Sequence, residues 1–330
     1  MNHSNARRRF VGTMGRLAVA GAAAPTWATR AFAASPLNVG YQDTSWGAVM
    51  MIGLQEKLFA KAGCSLQPHL FDSGNSTRNA MISGAVDVGV LGVTPFILGV
   101  EKAQMHSLAV AMYAGATNAV VARNGSGIKS IADLKGKVVA SQVGSATDYV
   151  FQNVILPHYG VKKSEVRIIN VTFQNQVAAL LSKSADAFAG VEPYPSVAIV
   201  DGIGHELVDY EQFDMQPVFV GVDPKPYASD KPELVKFMRG WLEASAMIRH
   251  DPQQASRIIW DRFKAQGYSF KQAIIQRMLS KLDLDPAYRP TLDAYLNKQA
   301  GILVHEGKIS HVPDWKSALD TSILAQARKA

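Results

Sequence analysis

The sequence predicts an α/β protein built from two lobes, each a mainly parallel sheet flanked by helices. Short apolar strands alternate with helical patterns along most of the chain, which is typical of parallel sheets. The chain has 330 residues, which is long for one compact domain. One strand-to-helix unit also recurs along the chain, and this recurrence predicts a second lobe built like the first.

The first lobe is predicted to alternate strand and helix from its first residues. LNVGY precedes a helical pattern over 45–62, SLQPHLF precedes one that starts near Ser76, and VDVGVLG precedes one that opens at Thr94-Pro95. The apolar stretches HSLAVAMY and NAVVARN continue this series as strands. From Lys231 onward the pattern is helical almost throughout.

The second lobe is predicted to begin after the Gly-rich turn GSGIKS. Its strands are KVVAS, VRIINV and DAFAGV, with helical patterns between them over 145–158 and 174–182. These boundaries assign residues 34–122 and 219–330 to the first lobe and 123–218 to the second.

The recurring unit pairs NAMISGAVDVGVLGVTP (79–95) with VAALLSKSADAFAGVEP (177–193). Both stretches consist of a helix, a Ser, an Asp, a strand and a Pro. Each unit therefore ends a strand and opens a helix, so free backbone N–H groups point out of the carboxyl end of its sheet. Two such units can face each other across a cleft. Asp87 and Asp186 precede the strands at the opposite end, and we expect a structural role for both.

Residues 1–33 have the composition of a bacterial export signal. Arginines at positions 7, 8 and 9 precede Phe10 and an Ala/Gly/Val stretch, and Ala31-Phe32-Ala33 is an A-x-A cleavage site. Paired arginines followed by Phe10 indicate the twin-arginine route, although a Sec signal with an Arg-rich start has nearly the same pattern. We therefore expect cleavage after Ala33 and a periplasmic mature protein.

Charge and the chemistry-bearing residues argue against several classes of function. The formal charge of +7 includes five arginines and no acid in residues 1–33, which leaves +2 for the rest and no argument for nucleic acid. The single Cys64 can form no internal disulfide. Eight histidines are scattered singly, and G-x-S-x-G, P-loop and G-x-G-x-x-G motifs do not occur. We expect a monomer with no metal, no cofactor and no enzyme activity.

Candidate ligand-binding residues lie where strands end and helices begin, because open α/β sheets bind ligands at those joints. The polar and aromatic residues of these joints are Gln42, Ser45, Trp46, Ser73, Gly74, Asn75, Thr94, Gly144, Ser145, Thr147, Asn175 and Glu192. Amide, hydroxyl and backbone N–H donors dominate this set, and Trp46 adds an aromatic wall. We therefore expect neutral donors to hold the polar end of a ligand.

Two of these candidates also have a structural interpretation. Ser145 with Asp148 fits a capping box, and Thr94 before Pro95 fits a helix N-cap. If these residues are caps, their side chains are occupied within their own helices.

Charged residues at the joints leave the charge of the ligand open. Glu192 follows a strand end, where its carboxylate would suit an amine. Asp43 would oppose a purely anionic ligand unless that ligand also carried a cation. Arg78, on the first turn of its helix, either meets an anion or lies on a solvated face.

The chain resembles the periplasmic solute-binding proteins of the nitrate, taurine and alkanesulfonate group, which serve ABC importers. The resemblance is carried by VGYQ (39–42), SGAVDVGVLGVTP (83–95), IKSIADLKGKVVASQVGSATDY (128–149) and AALLSKSADAFAGVEPYP (178–195). It implies a type II-like periplasmic-binding-protein fold with the ligand cleft between the lobes. It also implies capture of a small organic anion or zwitterion, such as a sulfonate, nitrate or an aromatic acid, and a permease partner in the inner membrane.

The same resemblance leaves an alternative open. Proteins of similar fold bind thiamine-type pyrimidines or act as pyrimidine synthases, and the synthases rely on a Cys-rich segment that this chain, with one Cys, does not have. In either case the lobes are expected to close by hinge bending near 121–125 and 216–221.

Overall fold

The computed structural model describes residues 35–329, so the predicted export signal lies outside the described residues. The strands are β1 (Leu37–Gln42), β2 (Leu66–Phe71), β3 (Val88–Gly92), β4 (His106–Tyr113), β5 (Asn118–Arg123), β6 (Val138–Ser141), β7 (Arg167–Asn170), β8 (Ala187–Val191), β9 (Gly204–Asp209) and β10 (Pro217–Val222). The α-helices are α1 (Ala48–Gln55), α2 (Leu58–Lys61), α3 (Gly74–Ile82), α4 (Val93–Ala103), α5 (Ala146–Val150), α6 (Leu156–His158), α7 (Phe173–Leu181), α8 (Tyr194–Val200), α9 (Pro224–Ser229), α10 (Lys231–His250), α11 (Pro252–Ala265), α12 (Gln272–Ser280), α13 (Leu292–His305), α14 (Trp315–Ala318) and α15 (Ser322–Arg328).

The strands form two five-stranded sheets of the same design. The first has the order β2-β1-β3-β10-β4 and the second the order β7-β6-β8-β5-β9. In each sheet one strand is antiparallel to both of its neighbours, β10 in the first and β5 in the second. The other contacts are parallel. The predicted α/β class with two lobes is confirmed. Each sheet is a mixed sheet, because it contains one antiparallel strand.

The chain crosses between the sheets earlier than the sequence suggested. It leaves the first sheet after Tyr113, enters the second at Asn118, and returns between Asp209 and Pro217. NAVVARN, predicted as the last strand of the first lobe, is β5 and belongs to the second sheet. The expected hinge at 121–125 therefore falls at the end of β5, and the crossing segments are 114–117 and 210–216. Consecutive strands usually pair with each other, which is why the sequence pattern misplaced this boundary.

Two predicted helices are interrupted. The pattern over 45–62 begins with a 3-10 turn, Ser45–Gly47, and breaks between α1 and α2 at Lys57, whose φ is 57°. The pattern over 145–158 contains a π-helical turn, Phe151–Ile155, between α5 and α6. The helix expected from Ser76 begins earlier, at Gly74.

The buried residues form two cores that share the second sheet. Ala119 and Val121 of β5 pack into a core continuous with the first lobe, whereas Val120 and Ala122 pack into a separate core on the other face. This alternation follows from the two-residue period of a strand. The long helix α10 packs against α1, α2 and α15 and covers the first lobe. Across 35–329, no helix combines the length and apolar character needed to cross a membrane.

The two aspartates of the recurring unit occupy equivalent structural positions. The Asp87 carboxylate accepts the Asn38 backbone N–H at 2.8 Å, at the start of β1. The Asp186 carboxylate accepts the Val138 N–H at 3.1 Å, at the start of β6, and forms an ion pair with Arg123. Both carboxylates therefore fasten neighbouring strands at the amino ends of the sheets, as expected from the sequence.

Candidate functional site

The two lobes touch at the carboxyl ends of their parallel strands. The Asn75 side-chain amide donates to the Gly144 carbonyl oxygen at 2.7 Å, and the Ser45 N–H donates to the Glu192 carbonyl oxygen at 2.8 Å. A longer hydrogen bond of 3.4 Å joins the Gln142 amide to the Asp72 carbonyl oxygen. The strand-to-helix joints of the recurring units thus face each other, as the sequence predicted.

The loop after β1 carries three consecutive buried side chains with unpaired polar atoms. Thr44 and Ser45 are 1% exposed and Trp46 is 3% exposed. Within residues 35–329, the Thr44 Oγ1, Ser45 Oγ and Trp46 Nε1 atoms have no hydrogen-bond partner. Leaving a buried donor or acceptor unpaired costs about 1–3 kcal/mol each. Three such atoms in one loop are best explained by a partner that this part of the chain does not supply.

Unpaired buried polar atoms also occur on the second lobe and at the end of β1. Ser141 ends β6 and is fully buried, and its Oγ atom has no partner within 35–329. Unpaired atoms in the same region are Gln42 Oε1, Gln174 Oε1, Gln176 Oε1 and Tyr194 Oη. The strand register places Ser141 beside Ala189 of β8, so the ends of β6 and β8 lie next to each other. Both lobes therefore direct unsatisfied groups to the same boundary.

Gln42 uses its amide donors within the first lobe. Its Nε2 donates to Thr77 Oγ1 at 2.7 Å and to the Val90 carbonyl oxygen at 3.2 Å. Only an acceptor, Oε1, is left over. In this structure the amide donors of Gln42 are engaged by Thr77 Oγ1 and the Val90 carbonyl oxygen, and a ligand contact by Gln42 stays a prediction.

The start of α3 is capped by its own residues. Ser73 is the N-cap, and its Oγ accepts the Ser76 N–H at 3.2 Å. Gly74 packs beside Pro95, with no room to spare for a larger side chain. Asn75 bridges to the second lobe. Ser73 thus serves the helix, whereas Asn75 serves the contact between lobes.

The polar side chains at the start of α5 find their hydrogen-bond partners within the second lobe. Ser145 Oγ accepts the Asp148 N–H at 3.1 Å, and the Asp148 carboxylate accepts the Gly144 N–H at 2.9 Å. Thr147 Oγ1 donates to the Asn118 side-chain oxygen at 2.6 Å. The capping alternative for Ser145 therefore matches the geometry, and the side chains of Ser145 and Thr147 are occupied.

Thr94 and Asn175 do not have the geometry expected of them. Helix α4 begins at Val93 with Gly92 as its N-cap, so Thr94 lies one residue inside the helix instead of capping it. Thr94 is nevertheless buried beside the boundary. Asn175 is exposed and donates to Thr172 Oγ1 at 3.0 Å. Asn175 lies between Gln174 and Gln176, whose Oε1 atoms are buried without a partner in residues 35–329, and its own contact with a ligand stays a prediction.

Glu192 and Asp43, two carboxylates near the boundary, have cationic partners. Glu192 is fully buried, accepts hydrogen bonds from the N–H and Oγ of Ser196, and lies 3.1 Å from Lys281 Nζ. Asp43 pairs with Arg262 at 3.4 Å and also accepts from Gln266. The charge of each carboxylate is therefore compensated by α11 or by the residue after α12. The expected opposition of Asp43 to an anionic ligand is removed by Arg262.

Arg78 is a half-buried cation at the edge of the lobe contact. Its guanidinium donates to the side-chain oxygens of Asn75 at 3.1 Å and Asn79 at 2.9 Å, both neutral groups. Burial lowers the pKa of Arg78 from its usual value. Arg78 is the fifth residue of α3 and lies in its second turn, not in the first turn as the sequence suggested, and a half-buried cation beside neutral partners is a group that an anion would stabilise.

Cavities occur on both sides of the lobe contact. One of about 240 Å³ is lined by both lobes and by the turn after α11; its residues are Asp43, Leu70, Phe71, Asp72, Gln174 and Tyr268. A larger one, of about 460 Å³, lies behind the crossing segments beside Tyr113, Asp214 and Arg289. The smaller cavity adjoins the loop after β1, so we treat it as the mouth of the site. Among residues 35–329, no group of three or more His, Cys, Asp or Glu is arranged to hold a metal.

Five functional candidates were not indicated by the sequence, namely Thr44, Ser141, Gln174, Gln176 and Tyr194. Thr44 and Ser141 lie at or just after predicted strand ends, and Tyr194 follows the Glu-Pro dipeptide that ends the recurring unit. These residues therefore occupy the same kind of position in the sequence, a strand-to-helix joint, as the residues that were predicted to bind ligand. What distinguishes them, the absence of a partner within 35–329, depends on distant residues.

Solved structures of binding proteins share this architecture. The alkanesulfonate-binding protein SsuA from Xanthomonas axonopodis pv. citri, bound to MOPS, matches with a TM-score of 0.77 at 18% identity, covering 87% of this chain and 98% of that one. The periplasmic nitrate-binding protein NrtA from Synechocystis PCC 6803 matches with a TM-score of 0.62 at 15% identity, covering 74% and 69%. The fold is that of the periplasmic binding proteins.

Sequence comparison assigns the family. The taurine-binding periplasmic protein of Escherichia coli (strain K12) is 30% identical over 239 residues, 70% of this chain and 71% of that protein. The family described as NMT1/THI5 like matches residues 48–255. The chain belongs to this family. The predicted resemblance to the nitrate, taurine and alkanesulfonate group is confirmed.

Proposed function

We propose that this chain is the periplasmic substrate-binding component of an ABC importer and that it captures a small organic anion or zwitterion of the sulfonate or taurine type. The observation that carries the proposal is the set of buried, unpaired polar atoms that both lobes direct to their boundary. The naming of relatives and structural neighbours as taurine-, alkanesulfonate- and nitrate-binding proteins supports the choice of ligand class.

The chemistry of the unpaired groups suits an oxyanion. Thr44, Ser45 and Ser141 offer hydroxyls, and Trp46 offers an indole N–H. A hydrogen bond to a charged acceptor contributes about 1.5–3 kcal/mol, roughly twice as much as one between neutral groups. Neutral donors can therefore hold a sulfonate without a contacting lysine or arginine, while Arg78 adds positive potential at the edge.

The two lobes supply a mechanism of capture without chemistry. Ligand enters while the lobes are apart, and contacts with both lobes form once the crossing segments 114–117 and 210–216 bend. The closed form is then the state that a permease recognises. The ligand leaves unchanged, so the protein acts as a binding protein and not as an enzyme.

Export through residues 1–33 accounts for a periplasmic location. The basic start, the apolar stretch and the Ala31-Phe32-Ala33 site support cleavage after Ala33. N-terminal sequencing of protein recovered from the periplasm is expected to begin at Ala34. A chain that retains Met1 there would contradict this part of the proposal.

The ligand class is tested by a thermal-shift screen of the mature protein with taurine, ethanesulfonate, MOPS, nitrate, benzoate and a hydroxymethylpyrimidine. At a hundredfold excess over Kd, a ligand stabilises the folded state by about 2.7 kcal/mol. We expect the largest shift with a sulfonate. Mass spectrometry of the recovered ligand is expected to show an unaltered compound. A shift with the pyrimidine alone, or an altered ligand, would contradict the proposal.

The site is tested with a matched pair of serines. Ser141→Ala removes an unpaired buried hydroxyl, whereas Ser229→Ala removes an exposed one that donates to the Lys225 carbonyl oxygen. Ser141→Ala is expected to weaken sulfonate binding by about tenfold and to leave the melting temperature unchanged. Equal affinities of the two variants, measured by calorimetric titration, would place the site elsewhere.

A further inference from the structure

We propose that Trp46 couples ligand recognition to lobe closure: its indole N–H binds an acceptor atom of the ligand, while the opposite edge of the ring packs against Gly92, the residue that also meets Ala146 of the second lobe. This inference rests on the proposed function. It assigns Trp46 two roles that are carried by two ends of one rigid side chain.

The first observation is the state of the indole N–H. Trp46 lies in the 3-10 turn Ser45–Gly47, directly after β1, and is 3% exposed. Its Nε1 has no hydrogen-bond partner within the described chain. Buried tryptophans usually place this N–H on an acceptor, so an acceptor from outside the chain is expected here.

The second observation is the close approach of three residues at the far edge of the ring. A Cβ atom built on Gly92 would lie 2.9 Å from Trp46 Cζ3 and 3.0 Å from Cη2. The same Cβ would lie 2.8 Å from the Cβ of Ala146. Carbon atoms at their optimal separation are about 3.5–4.0 Å apart, so only a glycine fits between the ring and the second lobe.

The need for glycine at position 92 is steric and not conformational. Gly92 has φ −64° and ψ 165°, which every residue type adopts readily. What excludes a side chain is therefore the joint presence of the Trp46 ring and of α5, whose first residue is Ala146. Only one of these neighbours, α5, comes from the second lobe. The contact at Gly92 thus reports whether the lobes have come together.

The geometry of an indole ring links the two observations. Cζ3 and Cη2 belong to the six-membered ring, and the N–H lies at the other end of the flat side chain. A ligand that fixes the N–H therefore fixes the edge that lies against Gly92. A ring displaced by an unsuitable ligand would push on Gly92, against which Ala146 must pack, so recognition and closure become one event.

The donor role is tested with Trp46→Phe, which keeps an aromatic ring and removes the N–H. Calorimetric titration with taurine, ethanesulfonate and MOPS is expected to show affinity reduced by about tenfold to a hundredfold for the ligand that the parent binds best. Small-angle scattering with saturating ligand is expected to show that compaction persists, because the smaller ring adds no bulk at Gly92. Unchanged affinity would overturn the donor role.

The closure role is tested with Ala146→Val and Gly92→Ala, each of which adds bulk to the contact. Both variants are expected to lose most of the ligand-induced compaction and at least tenfold in affinity. Ala146→Val adds its bulk from the second lobe alone, so the open form of the first lobe is untouched. The control is Gly301→Ala, the same chemical change in α13, where an added Cβ would have no neighbour within 4 Å.

The outcomes separate this inference from the proposed function. If the parent binds a sulfonate and compacts, but Ala146→Val and Gly92→Ala behave as Gly301→Ala does, the coupling is refuted and the binding function stands. If the parent binds none of the three sulfonates, the proposed function fails, and the coupling fails with it. A lower melting temperature in Gly92→Ala, but not in Ala146→Val, would show that the added methyl group displaces the Trp46 ring within the first lobe. In that case the compaction and affinity of Ala146→Val decide whether the closure role holds.

Discussion

The two joints that face each other across the lobe contact use similar residues in opposite ways. After β1, Thr44 and Ser45 keep their hydroxyls buried and without a partner in the described part of the chain. At the start of α5, Ser145 caps the helix and Thr147 donates to Asn118. Small polar residues at a strand-to-helix joint therefore do not identify a binding site by themselves. The joint that satisfies its own groups is expected to keep its shape without ligand, and the joint that leaves them unsatisfied is expected to hold ligand.

The largest expected effect concerns the buried charge of the second lobe. Lys281→Met removes the cation that compensates Glu192, which is fully buried. Breaking a buried ion pair from one side costs about 3–5 kcal/mol, because the remaining charge has no partner. Chemical denaturation is expected to show a loss of that size in the free energy of unfolding.

Two further variants check the origin of that loss. Lys264→Met breaks an exposed pair with Asp261 and should cost well under about 1 kcal/mol. The double variant Glu192→Gln with Lys281→Met removes both charges and should recover most of the loss. If Lys281→Met is as stable as Lys264→Met, the carboxylate of Glu192 is not held by Lys281.

Two buried threonines give the most direct test of the comparison between the joint after β1 and the joint at the start of α5. Thr44 and Thr147 are 1% and 0% exposed, but only Thr147 has a hydroxyl partner within 35–329. Thr147→Val strands the Asn118 oxygen and should cost about 1–3 kcal/mol of stability with affinity retained. Thr44→Val should retain stability and lose about tenfold or more in sulfonate affinity. The reverse pattern, in denaturation and calorimetric titration, would exchange the roles of the two joints.

A smaller effect is expected at the α5 cap. Ser145→Ala removes the hydroxyl that accepts the Asp148 N–H and should lower the free energy of unfolding by about 1 kcal/mol. Affinity should stay within twofold of the parent. Asn75→Ala, which breaks the 2.7 Å bond to Gly144, should instead weaken binding with little change in stability. A loss of affinity in Ser145→Ala would return that residue to the ligand contacts.

The smallest effect is expected for the charge at the edge of the site. Arg78→Gln should slow association with a sulfonate by about threefold at low salt, and the difference should vanish at 0.5 M salt as the Debye length shortens. Lys102→Gln removes the same charge from the last turn of α4, at the opposite end of the sheet, and serves as the control. Stopped-flow rates that fall equally in both variants would show that net charge, and not Arg78, steers the ligand.

Local features of the fold could be predicted from the sequence, and long-range ones could not. The strand HSLAVAMY has the bounds of β4, and Ser145 caps the start of α5, because both depend on residues close in the chain. The crossing between sheets was misplaced, since β5 pairs with strands that are distant in sequence. The same limit applies to the site. Whether Gln42 can donate to a ligand depends on Thr77, and no pattern within the first loop contains that information.

The position of the antiparallel strand along the chain determines which lobe can be completed first on the ribosome. It is the first strand of the second sheet, β5, but the last strand of the first sheet, β10. The second sheet is one continuous segment and is complete once Asp209 has emerged. The first sheet must wait for β10, which inserts between β3 and β4. Until then, both of those strands present an edge with free backbone groups, which invites pairing with other chains. A nascent chain that has emerged from the ribosome only as far as Tyr210 therefore has one complete sheet and one incomplete sheet whose free strand edges can aggregate.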